Sequence, residues 1–431
     1  MTAVTDTSAL RLYRAVARAA EPAAPLALRA RLAAGKEDVN RIGERLGYAA
    51  LPRPSGPLVW VHAASVGETN AVLPLLRALL AERPGLQALL TSGTVTSAAI
   101  AAQRLPERAR HQFVPVDGPC TAARFLDHWR PDLALFVESE LWPNLLAGAA
   151  GRGIPIALVN ARLSDRSFRR WRHVPRTARA ILSRIRLVAA QSEADAARFA
   201  ALGAPSVATL GNLKFDGPPP PVAPAALAEL EDIVSGRPLL AGASTHEGEE
   251  TALAEAHAAL KPEHGRLLTL VAPRHPERGP AIARALTAAG LRVARRGAGE
   301  RPESATDIYL MDTLGELGLL YSVTPFAFVG GSLTPRGGQN PIEAAKLGCA
   351  VLHGPRTRNF RDVYAALDGA GGAVPVRDSA DLAAAARRLL RAPDESRALA
   401  ARARTVIEAS EGALRRSLAA LAPFLPAEVA A

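Results

Sequence analysis

Residues 57–80 read PLVWVHAASVGETNAVLPLLRALL, and this stretch decides the fold class. Pro57–His62 is a short apolar strand, and Thr69–Leu80 carries its apolar residues at helical spacing. The same strand-then-helix pattern extends outward on the C-terminal side. Leu86–Thr91 is strand-like and Val95–Gln103 helical; Leu133–Val137 (LALFV) is a buried strand, with a helix after Trp142-Pro143. Ile154–Val159 and Leu187–Ala190 continue the series. Strands of this length alternating with helices predict an α/β protein with a parallel, doubly wound sheet.

The alternation stops at Gly217–Pro224, GPPPPVAP, where four consecutive prolines favour a stiff polyproline II linker. It restarts with strands at Leu239–Gly242, Leu267–Val271, Leu291–Ala294, Ile308–Leu310, Phe326–Val329 and Ala350–Leu352. The chain therefore reads as two Rossmann-like halves. The expected organisation is a basic amphipathic segment at 1–50, a first Rossmann-like domain at 51–216, a linker at 217–224, a second such domain at 225–400, and a helical tail at 401–431 able to return to the first half. With two such domains, the substrate cleft is expected between them.

Composition narrows the function classes. The 431 residues, 48% apolar and 22% charged, suit a globular protein with its own core and exclude a disordered chain, a collagen and a coiled coil. Fifty-two basic against 41 acidic residues leave a net charge of +11, and only four of the basic residues are Lys. That balance predicts an anionic partner: nucleic acid, a membrane surface or a phosphorylated substrate. Cys120 and Cys349 form no CxxC pair, so neither a disulfide framework nor a zinc site is expected.

In doubly wound sheets, ligands bind at the C-terminal ends of the strands. The loop after PLVWVH holds Ser65, Gly67 and Glu68. The Ser65/Glu68 spacing is that of a capping box, and the position is also one for a general base; spacing alone leaves both open. After LALFV come Glu138 and Glu140, a carboxylate pair suited to proton transfer or cation stabilisation, or simply a polar strand end. Lys214, next to the linker, suits a phosphate, or stands as a surface lysine. In the second half, Ser244, Thr245 and Glu247 begin another S-x-x-E helix start, and Pro273-Arg274 ends a strand where a phosphate ligand would sit. Gly330, Gly331, Gly337 and Gly338 lead into Asn340-Pro341-Ile342-Glu343, read as N-cap, N1, N2 and N3 of a helix that closes a phosphate cradle. It is neither a Walker loop nor GxGxxG. His246 and His275 have no metal-ligand spacing, so a metal is not expected.

Arg162–Arg186 holds nine Arg and one acid, with Phe168 and Trp171 interleaved. Arg162, Arg166, Arg169, Arg170, Trp171 and Arg172 are its candidates for a phosphorylated acceptor or an anionic leaflet; a solvated face is the plainer reading. Leu10–Leu32 is too charged to be a signal peptide or to span a bilayer. Leu10, Tyr13, Val16 and Ala20 fall near helical spacing, as in an interfacial helix or in a helix packed on the protein.

Several segments in order resemble one family: SVGE at Ser65–Glu68, ESELWPN at Glu138–Asn144, NARLSDRS at Asn160–Ser167, GNLKFD at Gly211–Asp216, PRHPER at Pro273–Arg278, DTLGEL at Asp312–Leu317, and GGSLTPRGGQNPIEAAKLG from Gly330 through GPRTRNFRD ending at Asp362. Over about residues 35 to 400, the set is similar to the 3-deoxy-D-manno-octulosonic acid (Kdo) transferases. The resemblance implies a GT-B fold and transfer of Kdo from CMP-Kdo to the glucosamine 6-hydroxyl of a lipid A precursor. It further implies inversion, no essential metal and no cofactor beyond the donor substrate CMP-Kdo, and action at the cytoplasmic face of the inner membrane. It makes Glu68 the base and Glu138 and Lys214 the transition-state stabilisers, with Glu140 near them. Pro273-Arg274, Leu314-Gly315-Glu316 and Asn340–Glu343 match the segments that hold CMP.

Gln339 stands where the family usually has His, and Ala344 where it often has Pro. The usual hydrophobic N-terminal anchor is interrupted by Arg, which favours peripheral attachment. Two rival readings are a UDP-sugar transferase or nucleotide-sugar 2-epimerase of the same fold, and a nucleic-acid-binding protein. The second is prompted by charge alone and lacks any nucleic-acid motif. The oligomeric state is left open.

Overall fold

Every strand pairing is parallel in the computed structural model, which describes residues 6–426. The chain divides into two compact units, one ending at Gly217 and regaining the chain from Ser410, the other running from Pro218 to Ala409. Residues 1–5 and 427–431 of the expected terminal segments lie outside the described residues.

The first unit holds β1 (Leu58–His62), β2 (Gln87–Ser92), β3 (Ala109–Phe113), β4 (Leu133–Val137), β5 (Ile156–Ala161), β6 (Leu187–Ala190) and β7 (Val207–Thr209), in the order β3-β2-β1-β4-β5-β6-β7. The second holds β8 (Leu239–Thr245), β9 (Leu268–Pro273), β10 (Val293–Arg295), β11 (Ile308–Leu310), β12 (Phe326–Val329), β13 (Ala350–His353) and β14 (Ala373–Pro375), in the order β10-β11-β9-β8-β12-β13-β14. Each sheet reverses its direction of growth beside its first strand, between β1 and β4 and between β8 and β12. At such a switch point the loops diverge and leave a crevice.

β1 shows why the central strands form. All five of its residues are buried. Leu58 and Trp60 enter one core with Phe125, Phe136 and Trp129, while Val59 and Val61 enter the opposite core with Leu75, Leu76 and Leu135. A strand covered on both faces needs an unbroken apolar run rather than alternation. Trp60 packs at 4.9 Å from Phe125 and 5.0 Å from Phe136, ring centre to ring centre.

β3, β7 and β14 were not expected from the sequence. All three are sheet edges. β3 reads ARHQF, and only its last two residues are buried, so it lacks the apolar run that marks a central strand.

The N-terminal helix Ser8–Ala20 is capped by Thr7, whose hydroxyl accepts from the Leu10 N–H. The expected stripe of Leu10, Tyr13, Val16 and Ala20 is split. Leu10 is buried in the first unit's core, and Tyr13 donates its hydroxyl to Asp117 at 2.9 Å. Val16 and Leu12, by contrast, are 60% and 65% exposed. Leu10 and Tyr13 dock the helix, which leaves the residues on its far side facing out. Glu21 adds a second tie by accepting the Cys120 and Thr121 N–H groups at the start of the helix Pro119–Trp129.

At the other end, the helix Pro393–Ser410 runs unbroken through residue 401, and the change of unit comes at Ser410. The Asp216 carboxylate accepts the N–H groups of Gly412 and Leu414 at 2.6 and 3.0 Å. Ala413 and Leu421 then bury into the first unit's core. No helix among the described residues is long and apolar enough to cross a membrane.

Candidate active site

Loops at the C-terminal ends of β1 and β4, the two strands at the first unit's switch point, carry three carboxylates. Ser65 caps the helix Val66–Glu82, its hydroxyl oxygen accepting from the Glu68 N–H at 3.3 Å. Glu68 turns back, taking the Ser65 hydroxyl at 2.7 Å and the Ala64 N–H at 2.8 Å. The two readings of this loop thus coincide, because the capping geometry also fixes a carboxylate at the strand end. Burial pushes Glu68 up to about 7, and the charges of Glu140 and Glu138 add to it, against the bonds from Ser65 and Ala64. A carboxyl poised there exchanges protons near neutral pH.

Glu138 follows β4 in the left-handed region, φ 55°. Among the described residues only four non-glycines have positive φ, and three of them, Glu138, Asn160 and Ser244, stand at the C-terminal ends of β4, β5 and β8. Such backbone costs about 1–2 kcal/mol for an L-residue and is held only by surrounding structure. Lys214 Nζ meets Glu138 Oε1 at 3.1 Å, both side chains mostly buried. Glu140 Oε2 accepts the Trp142 indole N–H at 2.6 Å and lies 3.6 Å from His62 Nε2. Burial alone would raise Glu140, but the His62 imidazole beside it and the bond from Trp142 hold it below the usual carboxylate range.

The sequence marked Asn160 only as part of a motif. In the structure its Oδ1 accepts the Leu213 N–H at 2.9 Å, which fixes the turn presenting Lys214. Asp117 accepts the N–H groups of Asn144 and Leu145, holding the helix that follows Glu140. Both contacts span more than 25 residues, so neither has a local signature.

The second unit differs from expectation in two places. Ser244 does not cap a helix with Glu247. It is the penultimate residue of β8, at φ 54°, and the helix begins at Glu249 after Gly248. The buried Glu249 carboxylate instead accepts the N–H groups of His246, Gly331, Ser332 and Leu333 at 2.7–3.0 Å. Part of the glycine-rich turn's amide set is thereby committed to a side chain of the protein. The second difference is the helix after the turn, which starts at Ile342, one residue later than expected, and has five residues. Asn340 therefore stands one residue before the cap position rather than at it, its Oδ1 accepting from Ile342 N–H at 3.1 Å and its amide donating to Glu343 Oε1 at 3.1 Å. Pro341 stands at the cap position and Ile342 is buried.

Around this turn the structure gathers Ser244, Thr245, Arg274, Gly337 and Gly338. The Arg274 N–H donates to Thr245 O, Gly338 N–H to Gly331 O, and Gln339 Nε2 lies 3.0 Å from His246 Nε2. Gly337 is required, since its φ is 92° and a Cβ would meet Asn359 at 2.8 Å. Thr245 itself points inward to Glu250 at 3.0 Å. Burial and the neighbouring His275, Arg336, Arg274 and Arg278 push His246 down to about 4, so cationic groups converge here on a place suited to an anion. Pro273 closes β9. Leu314 and Gly315 are exposed beyond β11, and Glu316 is held by Arg296 at 2.8 and 3.0 Å. No three His, Cys, Asp or Glu side chains among the described residues group so as to hold a metal ion.

Arg166, Arg169, Arg170 and Arg172 are exposed on the helix Asp165–Arg172, while Phe168 and Trp171 turn back onto the core. Arg162 is half-buried, and its N–H donates to Glu138 O at 3.4 Å.

A family profile described as "3-Deoxy-D-manno-octulosonic-acid transferase (kdotransferase)" matches residues 40–217. The 3-deoxy-D-manno-octulosonic acid transferase of Bordetella pertussis is 40% identical, over 92% of this chain and 94% of its own. That of Haemophilus influenzae is 35% identical, over 90% and 92%. Among solved structures, a glycosyltransferase of Rickettsia africae aligns with TM-score 0.56 at 12% identity, over 86% of this chain and 99% of its own. The UDP-GlcNAc 2-epimerase of Neisseria meningitidis bound to UDP-GlcNAc aligns with TM-score 0.56 at 14% identity, over 84% and 100%. These structures share the fold, the paired Rossmann-like units of GT-B proteins.

Proposed function

The chain belongs to the 3-deoxy-D-manno-octulosonic acid transferase family, and from that premise we propose that it moves Kdo from CMP-Kdo to the 6-hydroxyl of a lipid A precursor, with inversion, in lipopolysaccharide synthesis. The observation that carries this reading is the meeting of Glu68, Glu140 and the Glu138–Lys214 pair at one strand-order switch.

In the reaction the acceptor oxygen bonds to the anomeric carbon of Kdo while the bond from that carbon to the CMP phosphate oxygen breaks. The acceptor proton passes to Glu68, whose value near 7 leaves a large ionised fraction at neutral pH and a base stronger than an ordinary carboxylate. Glu138 and Glu140 place negative charge beside the positive charge that develops on the sugar. Lys214 holds Glu138 in place and tempers its repulsion of Glu68. The leaving monophosphate is met in the second unit by Arg274 and the cationic groups around His246. No resident metal or cofactor is part of this mechanism.

The exposed Arg166, Arg169, Arg170 and Arg172, with Leu12 and Val16, support peripheral attachment to an anionic membrane surface on the cytoplasmic side. Thermal unfolding with nucleotides tests the donor assignment. CMP is expected to raise the unfolding temperature and UDP to leave it unchanged. Protection by UDP alone would overturn the donor and favour the nucleotide-sugar enzymes that share the fold.

A further inference from the structure

His62 closes β1 and is fully buried. Its ring is walled by Phe136 and Trp142, centres 5.7 and 6.0 Å away. Nδ1 lies 3.0 Å from Thr91 Oγ1, which itself accepts the Trp60 indole N–H at 2.9 Å. With the Trp60 N–H already on Thr91 Oγ1, the tautomer in which Nδ1 accepts the Thr91 hydroxyl proton satisfies that hydroxyl as well, and this tautomer carries its own proton on Nε2. That Nε2 has no hydrogen-bond partner and stands 3.6 Å from Glu140 Oε2. A buried N–H left unmet is costly, and a small closure of this gap removes that cost.

We infer that His62 is a positioning residue for the transfer: through Nε2–H it fixes the Glu140 carboxylate beside Glu68, at the end of a buried chain running Trp60–Thr91–His62. The inference rests on the reading of Glu68 as base. His62 is sealed from solvent, so its effect passes through Glu140. With Trp142 it holds Glu140 ionised against burial, and the Glu140 charge strengthens Glu68 as a base.

The test measures kcat, and KM for CMP-Kdo and acceptor, in His62→Phe, His62→Gln, His62→Asn, Glu140→Gln and the His62→Phe/Glu140→Gln double variant. His62→Phe is expected to lower kcat about ten- to a hundredfold with both KM values nearly unchanged, the scale of a misplaced reacting group. Gln, whose amide reaches the Nε2 position, is expected to restore most of kcat. Asn, which reaches only the Thr91 side, is not. The double variant is expected to be no slower than Glu140→Gln alone. Wild-type kcat in folded His62→Phe, or losses that multiply in the double variant, would overturn the inference. If the Phe variant does not fold, equal kcat for Gln and Asn would do so. Glu68→Gln, run in parallel, separates the two claims: its activity would defeat the base reading, whereas a normal His62→Phe beside a dead Glu68→Gln defeats only the role of His62.

Discussion

Replacing Glu68 by Gln is predicted to make the first unit more stable while stopping the reaction. Glu68 is held mainly by burial, then by Glu140 and Glu138, at about 7 against an ordinary 4.5. That displacement amounts to about 3 kcal/mol against the ionised fold. The sign follows from linkage. The folded value lies above the unfolded one, so between about 4.5 and 7 the unfolded chain releases its proton first, and stability falls as pH rises. Below that window both states are protonated and nothing is lost; above it the full cost is present. The Glu68→Gln change removes the charge, while the new amide oxygen still accepts from Ala64 N–H and the amide NH2 donates to Ser65 Oγ, so the cap survives. The net gain is about 1–3 kcal/mol at pH 8 and close to zero at pH 4.5. For a unit of this size it raises the unfolding temperature by roughly 2–10 °C at pH 8. Calorimetric unfolding at the two pH values reads it, alongside a turnover assay in which kcat falls at least about a hundredfold. A Glu68→Gln variant that is less stable at pH 8, or whose gain does not change with pH, would refute the placement of Glu68 in this electrostatic site.

The wild-type kcat should fall about tenfold per pH unit on an acid limb near pH 7, where one proton silences Glu68; initial rates between pH 5 and 9 show it. Asn160→Ala loses the bond that holds Leu213 and places alanine at φ 51°, so urea unfolding should show a loss of about 2–3 kcal/mol, with kcat down about tenfold as Lys214 loses its mount. Glu249→Ala strands the buried amides of Gly331, Ser332 and Leu333. Thermal unfolding should show the second unit losing about 3 kcal/mol and its protection by CMP. Arg169→Glu with Arg170→Glu should cut binding to anionic vesicles by at least about tenfold in a sedimentation assay while leaving CMP protection intact.

The central strands were legible because burial on both faces demands an uninterrupted apolar run. Leu133–Val137, Ile308–Leu310 and Phe326–Val329 match their expected limits residue for residue. Ala109–Phe113, with Arg, His and Gln in five residues, sits at an edge where no such demand acts. In the site, Glu68, Glu138 and Glu140 stood out because charge directly after an apolar strand is costly without a purpose. Asn160, His62 and Glu249 stayed silent, since each acts through partners 29 to 84 positions away that only the closed sheets bring near. The Ser244/Glu247 spacing misled for the same reason: Glu249, two residues on, is claimed by a turn that begins more than 80 residues later. The split of the N-terminal stripe likewise depends on Asp117, out of reach of any local periodicity.

The most direct measurement is mass analysis of the lipid product after the purified protein is incubated with CMP-Kdo and a tetraacyl lipid A precursor. The proposed function predicts lipid heavier by whole Kdo residues, with one CMP released for each. Unchanged lipid with an active detergent-solubilised protein, or transfer of sugar from a UDP donor instead, would contradict it.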